Sequence, residues 1–210
     1  MLITFEGIDG SGKSTQARRL VEALRAAGRD VQAVREPGGT SLGEHVRAIL
    51  LDPASRIAPT AELLLFSAAR AQLVEDVVRP ALRSGAVVVA DRFYDSTTAY
   101  QGGGRGLADA ERLDALHALA TGGLAPDLTF LMDVPVEVAT DRRARRADDR
   151  MEAGGAEFFA RVRAAYLALA ARHPERIVVL DGTRAPNDVH AEILRVVERS
   201  GNLRIGESGN

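Results

Sequence analysis

Short apolar runs alternate along the chain with longer stretches of helical periodicity. Leu2–Phe5, Val31–Val34, Ala86–Ala90, Leu128–Met132 and Ile177–Leu180 are continuous and rich in β-branched residues. Runs of that kind predict strands of a parallel sheet covered on both faces. After the first run, Ala17, Leu20, Val21 and Leu24 recur at helical spacing and Gly28 supplies a stop. Thr60 to about Arg83 predicts a long helix bearing Leu63, Leu64 and Phe66, kinked or shortened by Pro80. Asp109–Ala120, Val136–Arg146 and Glu157–Arg172 predict further helices. Val189, Ile193, Val196 and Val197 mark a last one, with Pro186 near its start. The alternation predicts an α/β fold with a five-stranded, mostly parallel sheet and helices on both faces. One domain is expected over residues 1–199, with the polar, Gly-rich stretch 200–210 as a disordered tail.

The bulk numbers narrow the class. In 210 residues, hydrophobic side chains make up 46% and charged ones 27%, enough for a core and the usual share for a soluble protein. A net charge of −2 gives no basic field for a long nucleic acid. The chain has no Cys, which excludes disulfides, thiolate metal sites and a Cys nucleophile and fits a reducing cytoplasm. Its start reads straight into a strand, with no signal peptide. No apolar run reaches the ~20 residues of a spanning helix.

Gly7, Ile8, Asp9, Gly10, Ser11, Gly12, Lys13 and Ser14 match G-x-x-x-x-G-K-[ST], between a strand and a helix. The glycines let successive N–H groups turn toward phosphate oxygens, and the helix that opens here, with Thr15 in its first turn, adds positive charge. This predicts ATP binding, with Lys13 on the β- and γ-phosphates and Ser14 toward Mg²⁺. Asp91 ends the third strand where such folds keep a carboxylate near the metal. Asp91-Arg92 also allows a plain surface ion pair. The segment after the fifth run, Asp181-Gly182-Thr183-Arg184, lacks a guanine reader. Arg184 instead falls where adenine would lie, against the Arg-rich segment described below. Asp9 is costly inside an anion-binding loop. Either it faces away from the triphosphate, toward acceptor and Mg²⁺, or it forms an Asx turn.

Three more segments stand out: Arg35-Glu36-Pro37-Gly38-Gly39-Thr40, Asp91-Arg92-Phe93, and Thr97-Thr98-Ala99-Tyr100-Gln101-Gly102-Gly103-Gly104-Arg105-Gly106. With Phe5-Glu6-Gly7-Ile8-Asp9-Gly10, they occur in the order and spacing of the bacterial thymidylate kinase family, which the chain resembles from about Leu2 to about Val197. The resemblance implies the reaction ATP + dTMP ⇌ ADP + dTDP with Mg²⁺, and a homodimer to which the Thr60–Arg83 helix contributes. It implies that Glu36, Pro37 and Arg92 meet the acceptor and that Asp9 lies by its 3′-hydroxyl. Phe66 would stack on thymine, and Arg70, one helical turn on, would donate to a base carbonyl. Thr97 and Gln101 would make polar contacts to base and sugar, and Tyr100 would crowd the 2′-position. By itself Phe66 reads more readily as a core residue than as a ligand contact.

Asp141-Arg142-Arg143-Ala144-Arg145-Arg146 runs into a polar, Gly-containing stretch that includes Arg150 and Glu152. Either this is a solvated helix face, or residues 141–155 form a lid whose arginines neutralise the transferring phosphoryl group. Gly10, not a basic residue, follows Asp9, so the lid arginines are the expected catalytic cations beside Lys13 and Arg92. The rivals are another small phosphate-loop kinase and a nucleotide-binding regulator without turnover.

Overall fold

The computed structural model of the chain describes residues 1–144 and 154–201. Five strands, β1 (Leu2–Glu6), β2 (Val31–Arg35), β3 (Val87–Asp91), β4 (Leu128–Asp133) and β5 (Ile177–Asp181), form one sheet in the order β2-β3-β1-β4-β5. Every pairing is parallel, so the sheet is wholly rather than mostly parallel. Each strand runs one residue beyond its last apolar position and ends on Glu6, Arg35, Asp91, Asp133 or Asp181. Those ends line up in register, with Phe5 and Arg35 both opposite Asp91 and Asp133 opposite Asp181. Charge therefore gathers along the C-terminal edge of the sheet, where open α/β folds hold ligands.

The two faces follow the strand period. On one, Ile3, Phe5, Val87, Val89, Leu128 and Phe130 pack against Leu20 and Leu24 of α1 (Lys13–Ala26) and Val189, Ile193 and Val197 of the C-terminal helix. The other face divides into two apolar clusters. Leu2, Val88 and Ala90 meet Leu73, Val74 and Val78, while Leu131 meets Phe158, Phe159, Val162 and Tyr166. Side chains alternate along a strand, so the face of β1 opposite Ile3 and Phe5 reads Leu2, Thr4, Glu6, all fully buried. It becomes steadily more polar toward the ligand edge.

Several helices differ from expectation. α2 (Ser41–Leu51) was not expected; Thr40 caps it by accepting from the Gly43 N–H. The long helix is α3 (Pro59–Leu73), a π-helical turn over Val74–Val78, and α4 (Arg79–Arg83). The wide turn sits just before Pro80, which has no N–H and whose ring would press on the carbonyl four residues back. α5 (Tyr94–Thr97) continues into a second π-helical turn, Thr98–Gly104. α6 (Ala110–Thr121) starts after its Asp109 cap. α7 (Val136–Arg143) is shorter than expected and α8 (Gly155–Arg172) begins earlier. α9 (Pro186–Gly201) carries the helix through Ser200 and Gly201, two residues assigned to the tail. Arg145, Arg146, Arg150 and Glu152, and residues 202–210, lie outside the described residues. Among the described residues no helix is long and apolar enough to cross a membrane.

Far from the ligand edge, Arg176 braces α5 from below. It donates to both oxygens of Asp95 at 2.7 and 2.8 Å, reaches the Thr129 hydroxyl and lies over the Tyr94 ring. Asp95 is 1% exposed. Arg176→Ala should leave its carboxylate buried and unpaired and cost about 3 kcal/mol, read as a lower urea midpoint for unfolding.

Candidate active site

The phosphate loop joins the C-terminal end of β1 to the start of α1. Gly10 adopts φ 87°, and a Cβ there would lie 2.4 Å from the Ala139 carbonyl oxygen of α7. Only glycine fits both the backbone and the contact. Lys13 is buried, its Nζ 3.3 Å from the Ile8 carbonyl and 3.4 Å from Asp9 Oδ1. Burial, helped by Arg92, pulls its ammonium below the usual lysine range, against Asp9 and Asp91. Ser14 and Thr15 stay exposed, whereas the Ile8 side chain is core and offers only its backbone.

Asp9 is the junction. Its Oδ1 accepts from Arg92 Nη2 at 2.7 Å and its Oδ2 from the Tyr100 hydroxyl at 2.7 Å. Burial alone would raise its carboxyl, but Arg92, Lys13 and Tyr100 outweigh that and hold it well below the usual range. Its oxygens are engaged by these side chains, so the Asx-turn alternative is not what the structure shows. Arg92 has φ 75°, in the left-handed region. Such a conformation costs a non-glycine residue on the order of 1 kcal/mol. It turns the guanidinium back over the loop, where Nη1 reaches the Gly7 carbonyl and the hydroxyls of Ser96 and Tyr166. The cation also lies over the Tyr100 ring, 5.0 Å from its centroid.

Two cavities open on either side of Asp9. One is lined by Asp9 to Gln16, Arg142, Gly182, Arg184 and Pro186. Arg142 enters it, donating to the Gly10 and Gly182 carbonyls at 3.4 and 3.0 Å. Gln16, not expected from the sequence, ties α1 to α9 through the Pro186 carbonyl. The other cavity is lined by Asp9, Glu36, Pro37, Phe66, Arg92, Thr97, Tyr100 and Gln101, joined by Arg47, Leu51 and Ser96. A third groove brings Ser14 and Asp91 together, and Asp91 Oδ1 is buried there without a hydrogen-bond partner. An oxygen donor set of that kind, one hydroxyl and one unused carboxylate, suits Mg²⁺ that keeps phosphate and water ligands.

Two expected site residues stand elsewhere than expected. Arg143, expected beside the phosphates, is buried over the Phe159 ring at 4.2 Å and lines neither cavity. Neighbours on a helix point about 100° apart, so Arg142 and Arg143 cannot both face the loop. Arg70 is 1% exposed and sits behind the cavity wall. Its Nε donates to Glu36, its Nη2 to the Phe93 carbonyl and Thr97, and its Nη1 is buried without a partner. Tyr100 spends its hydroxyl on Asp9, although its side chain still lines the cavity.

With this geometry in hand, likeness to known proteins adds the family. A family model described as thymidylate kinase matches residues 5–193. The thymidylate kinase of Chlorobium chlorochromatii is 48% identical over 98% of this chain and 97% of its own length. That of Pelotomaculum thermopropionicum is 50% identical over 93% of this chain and 92% of its own. The crystal structure of thymidylate kinase from Ehrlichia chaffeensis superposes with a TM-score of 0.77 at 37% identity, covering 94% of this chain and 98% of that one.

Glu6 is the group that sequence reasoning passed over. It accepts from the Phe93 N–H, the Ser96 hydroxyl and the Tyr166 hydroxyl. A lone carboxylate in an otherwise buried strand was the available signal. Burial, reinforced by Asp95 and opposed by Arg92, pushes its carboxyl up to about 7 from 4.5. Between those values the folded protein holds a proton that the unfolded chain has lost. The stability linked to this proton is present below pH 4.5 and is lost as pH rises to about 7. His117, pushed down to about 3 chiefly by burial, acts in the opposite direction, but equally in wild type and variant. Between pH 5 and 7, wild-type stability should therefore fall relative to Glu6→Gln by up to ~1 kcal/mol per pH unit, measured by urea unfolding of both proteins.

Proposed function

The chain belongs to the thymidylate kinase family and transfers a phosphoryl group to dTMP, and from that premise we propose that ATP occupies the phosphate-loop cavity and dTMP the cavity across Asp9. The observation that carries this reading is the shared wall: Asp9 borders both cavities, with Lys13 on one side and Arg92 on the other. A phosphoryl group passing between them moves past two fixed cations that need no reorganisation during the reaction. A phosphate oxygen of dTMP forms the new bond to the γ-phosphorus as the bond to the ADP oxygen breaks. The loop N–H groups and Lys13 hold the donor phosphates, and Arg142 adds charge from α7. Arg92 holds the acceptor phosphate, while Asp9 keeps Arg92 and Lys13 aligned. Phe66, Thr97 and Gln101 bind thymine, with Arg70 fixing the wall behind them and Tyr100 beside the sugar. Arg184 borders the adenine. Ser14 and Asp91 would hold Mg²⁺ beside the triphosphate, where it would supply charge neutralisation. A cytoplasmic location accords with this reading.

Assembly is part of the same proposal. α2 and α3 pack together and leave Leu42, Ile49 and Leu64 exposed, Leu64 at 54%. We propose that this helix pair meets the same pair of a second copy. Leu64→Glu should convert a dimer to monomer in sedimentation velocity; a wild-type monomer would remove the dimer, and a variant that remains dimeric would move the interface elsewhere.

An ADP-release assay with dTMP, dUMP, dCMP, AMP and thymidine tests the reaction. Lys13→Ala should stay folded and lose on the order of 10³ in kcat. Arg142→Ala should lose on the order of 10²-fold or more in turnover, whereas Arg143→Ala should chiefly lower the melting temperature through its contact with Phe159. Near-normal turnover of a folded Lys13→Ala protein would remove the phosphate-loop mechanism.

A further inference from the structure

Gln101 lines the acceptor cavity with an amide, and an amide can present either of two opposite faces. Its C=O accepts and its NH₂ donates, and both have nearly the same shape. A neighbour outside the cavity decides between them. Gln101 Nε2 donates to Glu62 Oε1 at 2.9 Å. Glu62, in the first turn of α3, is 1% exposed and also receives Arg105, whose Nε lies 2.7 Å from Oε1 and Nη2 3.0 Å from Oε2. In an ion pair with Arg105, the carboxylate has only acceptors to offer. It takes the NH₂ end of Gln101, which leaves Oε1 unengaged by Glu62 and, on a side chain that lines the cavity, as the acceptor open to a ligand. The widened turn Thr98–Gly104, which carries Gln101, brings its side chain to α3; such turns recur at functional sites.

We infer that Glu62 is a positioning residue for base choice: by holding Gln101 Nε2 it turns the Gln101 carbonyl toward the nucleobase, which favours a base bearing N3–H over one bearing an unprotonated ring nitrogen at that position. The inference rests on the reading of this cavity as the dTMP site. Thymine carries that N3–H. Cytosine presents a lone pair there, and two acceptors face to face leave both unpaired and repelling in a buried site. Glu62 touches no substrate in this account. Its effect passes through the amide it orients.

The test is kcat/KM for dTMP and for dCMP, with ATP as donor, in wild type and four variants. Glu62→Met removes the acceptor and frees the amide to turn. The pair Glu62→Met/Arg105→Met does the same while removing both halves of the ion pair, and replacing both halves by apolar chains is tolerated far better than removing one. This pair keeps the test usable where the single variant fails to fold. In whichever of the two folds, the dTMP/dCMP ratio should fall about tenfold or more, the scale of one buried hydrogen bond made or mismatched. Glu62→Gln keeps an oxygen toward Gln101, and Arg105→Met leaves the Glu62 acceptor in place. Both should hold the ratio within about threefold of wild type, with the KM for ATP unchanged throughout. A merely structural role would lower activity on both nucleotides alike. A wild-type ratio in folded Glu62→Met or in the pair overturns the inference, as does an equal loss in Arg105→Met. Wild-type protein inactive on dTMP overturns the functional reading, and this inference with it.

Discussion

The ion pair between Asp9 and Arg92 is the contact on which the rest of the site depends. A carboxylate within an anion-binding loop is unfavourable unless a cation stands beside it, and Arg92 stands 2.7 Å away. A buried pair offsets its desolvation only when its remaining donors and acceptors are also satisfied. Here they are. One guanidinium nitrogen serves Asp9 and Tyr100, and the other serves Gly7, Ser96 and Tyr166. The left-handed backbone of Arg92 fits this account, since an ordinary conformation would aim the side chain elsewhere. Its strain is small beside the cost of leaving Asp9 alone.

Behind that pair stands a second carboxylate. Glu6 accepts hydrogen bonds from the Ser96 and Tyr166 hydroxyls, so the lone pairs of those hydroxyls can face Arg92. Strand β1, α5 and α8 meet there. The polar progression Leu2, Thr4, Glu6 along one face of β1 thus continues the core into the site without a break. A single sheet face changes from packing to electrostatics over three alternate residues, and the parallel register places that change at the edge where the phosphate loop begins.

Much of this could be read from the chain. Five apolar runs gave five strands, because a strand covered on both faces leaves little room for polar residues. They could not give the final residue of each strand. Glu6, Asp91 and Asp133 belong to the ladder by backbone pairing, and hydropathy does not report pairing. The residues lining both cavities were largely legible through motifs, since each motif is a short loop at a strand end. The supporting residues were not. Glu6, Ser96 and Tyr166 come from three distant segments, and Glu62 reaches Gln101 from a helix whose pattern speaks only of amphipathicity. The contrast between Arg142 and Arg143 needs the rotation of α7 about its axis, which one turn of sequence does not fix. The π-helical turns escaped for a similar reason: they arise from what a following proline or a run of glycines allows, and period analysis assumes a uniform helix.

The absence of a side chain at Gly10 has a structural counterpart on α7. Ala139 brings its carbonyl to where a Cβ would stand, 2.4 Å from it, so any larger residue after Asp9 would push α7 off the loop. Arg142 follows Ala139 by three positions, which places both on the same side of the helix. The approach that leaves no room beside Gly10 is therefore the approach that lets Arg142 reach the Gly10 and Gly182 carbonyls. A cation held on the loop by its own side chain and a cation delivered by α7 are alternative solutions to one electrostatic need, and sterics forbid both here at once. Those two carbonyls are weak partners for a guanidinium, one of them at 3.4 Å, and phosphate oxygens are stronger ones. With ATP in the phosphate-loop cavity as proposed, Arg142 would rest on the loop where the triphosphate could draw it, while Arg143, one residue on, packs α7 onto Phe159.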